Sequence, residues 1–174
     1  MPYANNKARF CQFCGSKQIS ELLQESGSRC QECGRVMYLN SKPSVCAVIL
    51  QEDTVLMVCD SISHSTWDLP GGFLLYGEAP ERGLTREMKE ELNAEVKIGE
   101  LLTASVDTYG PNAEFCLNLF YKASLVSNAI DVGEEILDYG WFDLRDLPST
   151  KFKSTLEVLS GLDKYLKKDS QNGQ

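Results

Sequence analysis

Glu78, Arg86, Glu87, Glu90 and Glu91 stand close together in the middle of the chain. The surrounding pattern predicts a helix of about four turns. It starts near Pro80, whose missing N–H would be unpaired in a first turn anyway, and ends at Asn93, which tolerates a left-handed cap. At about 100° per residue, with Leu84 at zero, Met88 falls at roughly 40° and Leu92 at roughly 80°, an apolar stripe suited to packing on a sheet. Glu87, Glu90 and Glu91 fall at roughly 300°, 240° and 340°, beside that stripe. Like charges one turn apart each cost a helix roughly 0.2–0.5 kcal/mol, so the arrangement is unfavourable unless something cationic sits over it. A divalent cation would do that. Oxygen donors with no thiolate or imidazole nearby favour Mg2+ or Mn2+, which take one or two carboxylates and keep places for water and phosphate oxygens. Such a site suits phosphoryl chemistry. The competing reading, a solvated Glu-rich surface helix, has also to explain the Gly-rich loop that precedes it.

A second chemistry-bearing set lies near the N-terminus: Cys11-x-x-Cys14 and Cys30-x-x-Cys33, each followed by glycine, Gly15 and Gly34. Glycine there lets the chain turn tightly enough for backbone N–H groups to face the sulfurs. Four thiolates suit tetrahedral Zn2+ with no open position, hence a structural site. Two disulfides or a redox dithiol are the alternatives, disfavoured by the odd total of seven cysteines and by the doubled spacing. Metal binding would supply the folding energy of this head, which has too few large apolar residues for a core. Cys46, Cys59 and Cys116 sit in apolar strand-like segments and read as small buried hydrophobes.

The elements that must position these residues follow from periodicity and breakers. Residues 1–43 form the cysteine head and a joint, 44–168 a single larger domain, and 169–174 a disordered tail. Ser44 to Leu50 and Thr54 to Cys59 read as a hairpin. Trp67-Asp68-Leu69-Pro70-Gly71-Gly72 reads as a short strand ended by breakers. Two longer strands, Glu95 to Thr108 and Glu114 to Val126, flank a turn at Tyr109-Gly110-Pro111-Asn112, and Ile136 to Phe142 is one more. A C-terminal helix presents Phe152, Leu156, Leu159, Leu162 and Leu166 as one stripe. The fold class is therefore α/β (α+β), a mixed sheet held between helices.

Composition bounds the function. The net charge of −8 excludes a protein whose main task is coating nucleic acid. Residues 1–43 carry six Lys/Arg against three Asp/Glu, and the remainder 11 against 22; zinc held by four thiolates would bring the head to about +1. No apolar run reaches membrane-spanning length, and no export signal opens the chain, so a cytoplasmic location without membrane partners is expected. His64, the lone histidine, lies in a serine-rich loop and reads as solvated. Tyr76 and Tyr109, both in predicted loops, are the aromatic residues best placed to stack on a nucleobase, whereas Phe115 and Tyr121 read as core.

The spacing Gly72-x5-Glu78-x7-Arg86-Glu87-Met88-x-Glu90-Glu91-x-Asn93-Ala94 resembles the Nudix box, with Asn93 in place of the family's second glycine. The stretch from Trp67 to Gly72 resembles the strand that enters the box. The resemblance implies an α/β/α sandwich and Mg2+- or Mn2+-dependent hydrolysis of a pyrophosphate bond in a small nucleotide substrate, releasing a nucleoside monophosphate. It implies that Glu87, Glu90 and Glu91 bind the cations, that Arg86 holds a glutamate in place, and that the Gly72 carbonyl can meet a metal. Glu78 would be structural or water-linked to metal. The proton acceptor would be a box residue such as Glu87 or a later one, for which Glu134 and Glu135 stand in the right place. A zinc ribbon before such a domain resembles the NADH pyrophosphatase branch. However, that branch's Ser-Gln-Pro-Trp-Pro-Phe-Pro-x-Ser motif has no counterpart after Ala94. Many relatives are homodimers. Two other functions stay open: a non-catalytic nucleotide-sensing module whose ribbon contacts protein or RNA, and removal of a nucleotide cap from RNA ends.

Overall fold

The structure, a computed structural model, describes residues 9–22, 27–61, 66–110 and 113–162. His64, Pro111 and Asn112 of the expected turn, Leu166 and the expected tail lie outside these residues. The chain divides into two compact units, 1–41 and 42–174. Among the described residues no helix is long and apolar enough to cross a membrane.

The first unit is a three-stranded antiparallel sheet, β1 (Ile19–Leu22), β2 (Gly27–Cys30) and β3 (Val36–Tyr38), in that spatial order. Among its described residues the buried apolar ones are the sulfur-bearing Cys11 and Cys30. A unit of this size with so little apolar interior needs a cross-link or a metal to hold it.

The second unit is built on β4 (Lys42–Gln51) and β5 (Thr54–Asp60), an antiparallel hairpin with Glu52 at positive φ in the turn. Lys42 and Pro43, read above as part of the joint, are the first residues of β4. β6 (Trp67–Asp68) pairs with β5, and β7 (Gly71–Phe73) pairs with β4. The expected single strand from Trp67 to Gly72 is thus two. Leu69 and Pro70 carry the chain across, the Pro70 carbonyl accepting the Ala47 N–H at 2.8 Å, and the glycines continue into β7 where the sequence suggested a stop. After α1 (Pro80–Leu92) come β8 (Val96–Tyr109), β9 (Glu114–Leu125), β10 (Ile136–Asp143) and α2 (Lys153–Ser160). The sheet order is β10-β5-β4-β9-β8, and among the described residues only the β4–β9 pair is parallel.

Alternation along β4 explains the sandwich. Val45, Ala47 and Ile49 point to one face with Leu56 and Val58 of β5, and there they bury Leu84, Met88 and Leu92 of α1. Val48 points to the other face with Val55, Met57 and Phe120, against Val158 and Leu159 of α2. Each fully buried α1 side chain contributes about 1.5–3 kcal/mol, which outweighs the like-charge cost on the same helix. Asn93 closes α1 in the left-handed conformation (φ 47°), its N–H reaching the Lys89 carbonyl at 3.1 Å. The stripe expected for the last helix is corrected at one position. Phe152 precedes the helix, so the buried face runs through Thr155, Val158 and Leu159, and Leu156 is 42 % exposed.

Candidate active site and cysteine cluster

α1 lies with Glu87 and Glu91 toward β7. The Gly71 N–H donates to Glu91 Oε2 at 2.8 Å. A side chain on Gly72 would begin 2.6 Å from the Glu87 carboxyl carbon, so glycine there leaves the Glu87 carboxylate its place beside the strand. Arg86 uses all five guanidinium N–H groups. Nε and Nη2 grip Glu78 at 3.0 and 2.9 Å, Nη2 reaches the Phe73 carbonyl at 3.0 Å, and Nη1 donates to Glu87 at 2.7 Å and Glu90 at 2.8 Å. The two-pronged Arg86 contact, with the Leu75 N–H, holds the Glu78 carboxyl down to about 2. Glu78 therefore clamps the loop between β7 and α1 and does not reach the cleft.

This corrects the premise that only a dication could relieve the acidic arc. The cation over Glu78, Glu87 and Glu90 is Arg86, which shares α1 with Glu87 and Glu90 and reaches back to Glu78 in the loop before it. Among the described residues Glu91 has no such partner. Its burial, with Glu87, Asp68 and Glu135 around it, pushes its carboxyl up to about 8 against the pull of the Gly71 N–H. Glu87 is also raised, by burial first, with Arg86 opposing. Glu90 is mostly exposed.

These groups open onto a cleft of about 600 Å³. Gly72, Arg86, Glu87, Glu90, Glu91, Glu135 and Tyr109 all line it; Glu134 and Tyr76 do not, and Tyr76 is wholly exposed. Tyr109, expected in a turn, is the last residue of β8. Its ring is edge-on to Phe73 (centroids 5.4 Å apart) and within 10° of parallel to Phe152 at 6.2 Å, an aromatic cluster whose three residues also line the cleft.

The sequence reading missed the polar floor of the cleft. Asp68 accepts hydrogen bonds from the Leu69 N–H at 2.8 Å and from Thr155 Oγ1, and its burial raises it to about 7. Asp107 accepts the Ser154 N–H at 2.9 Å and its hydroxyl at 3.1 Å, while Asn118 donates to Ser154 Oγ at 2.9 Å and accepts from Ser44. The first turn of α2 is fastened to the sheet by these bonds. A signal for Asn118 existed: it alternates with Cys116 and Phe120 on one face of β9, a polar residue among buried ones. Cys46 and Cys116, set aside as core, also line the cleft; burial raises both thiols, so they remain protonated and the hard donors there are oxygens.

In the first unit, all four cysteine sulfurs lie within 4.8 Å of one another, with Cys11–Cys33 and Cys14–Cys30 each at 3.7 Å. Sulfurs at about 2.3 Å from a tetrahedral Zn2+ stand about 3.8 Å apart, whereas a disulfide needs about 2.05 Å. The two knuckles match. Gly15 N–H meets the Cys11 carbonyl at 2.8 Å and Gly34 N–H the Cys30 carbonyl at 3.0 Å, both glycines at φ +73°. The Cys33 and Glu32 N–H groups bring the Cys30 thiol down to about 7, against desolvation. This four-cysteine unit fits a zinc ribbon. Among the described residues it is the one cluster of three or more potential ligand atoms so closely gathered; the box carboxylates, three of them drawn to Arg86, are not.

A NUDIX domain profile matches residues 40–160. An NAD-capped RNA hydrolase, NudC, of Pseudomonas aeruginosa is 32 % identical over 147 residues, 80 % of this chain and 49 % of its own length. The chain spans about half the length of the NudC relatives it matches. A NUDIX hydrolase of Nitrosomonas europaea superposes with a TM-score of 0.67 at 25 % identity, covering 90 % of this chain and 93 % of that one. A MutT NUDIX hydrolase of Burkholderia pseudomallei does so at 0.63 and 27 %, covering 70 % and 97 %. With the box on α1, the sheet between two helices and the domain match over most of its length, the chain belongs to the Nudix hydrolase family.

Proposed function

We propose that the chain hydrolyses the pyrophosphate bond of a nucleoside diphosphate joined to a second moiety, releasing a nucleoside monophosphate. The observation that carries this reading is the convergence of Glu87, Glu91 and Glu135 on one cleft that Arg86 and the aromatic residues Phe73, Tyr109 and Phe152 also line. Glu87 and Glu91 beside Gly72 would hold Mg2+ or Mn2+, with Glu90 at the open edge. The donors are carboxylate oxygens, the neighbouring thiols are protonated, and Glu91 lacks the cation that its burial calls for. Such an ion, when bound, neutralises phosphate charge and lowers the pKa of a water.

The chain's own residues supply the remainder. Arg86 fixes the Glu87 carboxylate, and Gly71 fixes that of Glu91, so neither has to reorganise when substrate arrives. Tyr109, held by two neighbouring rings, offers a face for a flat base. Glu135, exposed at the cleft wall, takes the proton from the attacking water. The four cysteines would hold a structural Zn2+.

A substrate panel tests this: ADP-ribose, NADH, dinucleoside polyphosphates, nucleoside triphosphates and CDP-alcohols, with Mg2+ or Mn2+, alongside Glu91→Gln and Glu135→Gln. Hydrolysis of at least one member, lost in Glu91→Gln, is expected. No hydrolysis, with ligand binding equal in parent and Glu91→Gln, favours the sensing module. The NudC relatives support a second reading, removal of a nucleotide cap from RNA; a 5′-NAD-capped RNA in the panel tests it.

A further inference from the structure

The loop before β10 is bolted to the end of the box helix. The last carbonyls of α1 have no partners within the helix. Two of them are taken by this loop: Gly133 N–H donates to the Glu91 carbonyl at 2.7 Å and Asp131 N–H to that of Leu92 at 3.0 Å. The contact is close. A side-chain carbon on Gly133 would stand 2.0 Å from the Glu90 carbonyl oxygen and 3.5 Å from that of Glu91. Two residues on, the Glu135 carbonyl accepts the Ser61 N–H at 2.8 Å, where β5 ends, and the Ile136 N–H turns back to Gly133 at 3.2 Å. Glu135 is thus held between two anchors, one on the box helix and one on the sheet.

We infer that Gly133 is a positioning residue: its bare backbone lets the loop seat on the last turn of α1 and so fixes Glu135 across the cleft from Glu87 and Glu91. This rests on the reading of Glu135 as proton acceptor. The helix that carries Glu87 and Glu91 and the loop that carries Glu135 then form one frame, joined through the carbonyls of Glu91 and Leu92. Any side chain at Gly133 must lift the loop by about 1 Å to escape the Glu90 carbonyl, and a displacement of about that size can cost a reaction up to ~100-fold.

The test is a double-mutant cycle on the full chain with the best panel substrate. Gly133→Ala is expected to lower kcat about 10- to 100-fold with KM within about twofold, and Glu135→Gln added to it to cost at most about twofold more, because the carboxylate is already displaced. A glycine inserted between Glu134 and Glu135 leaves the Gly133 contact intact but moves Glu135. It should lose kcat comparably at an unchanged melting temperature, which covers the case in which Gly133→Ala fails to fold. Full kcat in Gly133→Ala or in the insertion variant, or losses that multiply through the cycle, overturns the inference. So does full kcat in Glu135→Gln, an outcome that leaves the cleft reading standing on Glu91→Gln. If the parent hydrolyses nothing, amide exchange still decides: the Gly133 and Ser61 N–H groups should be protected in the parent and Ser61 exposed in Gly133→Ala, and unprotected amides in the parent refute it.

Discussion

Replacing Glu91 by glutamine should flatten the pH dependence of stability in the metal-free protein. Below pH 4.5 the Glu91 carboxyl is protonated in folded and unfolded chains alike. Between 4.5 and about 8 the unfolded chain has given up the proton while the folded one keeps it, so stability falls as pH rises, and above about 8 the loss is complete. Each pH unit in that window costs at most about 1.4 kcal/mol, and water in the open cleft screens part of it, so the expected loss is about 2–5 kcal/mol. Asp68, raised to about 7 by burial, adds a loss of the same sign that is present in both proteins. Urea unfolding at pH 5, 6, 7 and 8 in chelator, followed by tryptophan fluorescence, measures this. Both tryptophans, Trp67 and Trp141, belong to the second unit, so metal loss from the cysteines does not obscure the signal. The variant should be the more stable protein at pH 8 and about equal to the parent at pH 5. Parallel profiles would refute the idea that Glu91 is a buried carboxyl lacking a cation.

Mn2+ affinity, read by calorimetry, should fall at least tenfold in Glu91→Gln and about threefold or less in Glu90→Gln, because Glu90 is exposed and already shares Arg86; the reverse order would place the ion at the open edge. Removing zinc with a chelator, or Cys30→Ser, should abolish the ordered signals of the first unit and leave the fluorescence of the second unchanged, since each is a compact unit. Elemental analysis should find about one zinc per parent chain and much less in Cys30→Ser.

The parts of the fold legible in the sequence are those in which one local rule acts alone. Pro80 and Asn93 bound α1 because helix ends are set by the residues at them, and Leu84, Met88 and Leu92 are buried because their spacing leaves no other face. Alternation did not reveal which sheet neighbour a short strand takes. β6 and β7 divide between β5 and β4 because Pro70 has no N–H to give, and its carbonyl meets Ala47 instead. The box was legible as a pattern, but its electrostatics were not. Angles on a helical wheel place Glu87, Glu90 and Glu91 together, yet they do not say that Arg86 folds back to reach all but Glu91. Likewise the cleft floor at Asp68, Asp107 and Asn118 is assembled from segments far apart in the chain, held by the first turn of α2. No spacing rule joins them.

A dication is therefore called for inside the cleft and not along the helix face. Glu78, Glu87 and Glu90 share one guanidinium, and they would stay folded as they are without any metal. The remaining acidic groups lie inward, where Glu91, Asp68, Asp107 and Glu135 line the same space and Arg86 is the only Lys or Arg among the described residues that line it. Part of that charge is suppressed in the empty site by protonation of Glu91 and Asp68 near neutral pH. A diphosphate brings further negative charge into the same volume, and each added anion a few ångströms away opposes it. Protons on two carboxyls cannot attract phosphate, whereas divalent ions can both replace those protons and draw the substrate in. An anionic cleft of this kind discriminates against a nucleotide that arrives without its counter-ions, and hydrolysis should track the concentration of the metal–nucleotide complex more closely than that of nucleotide alone.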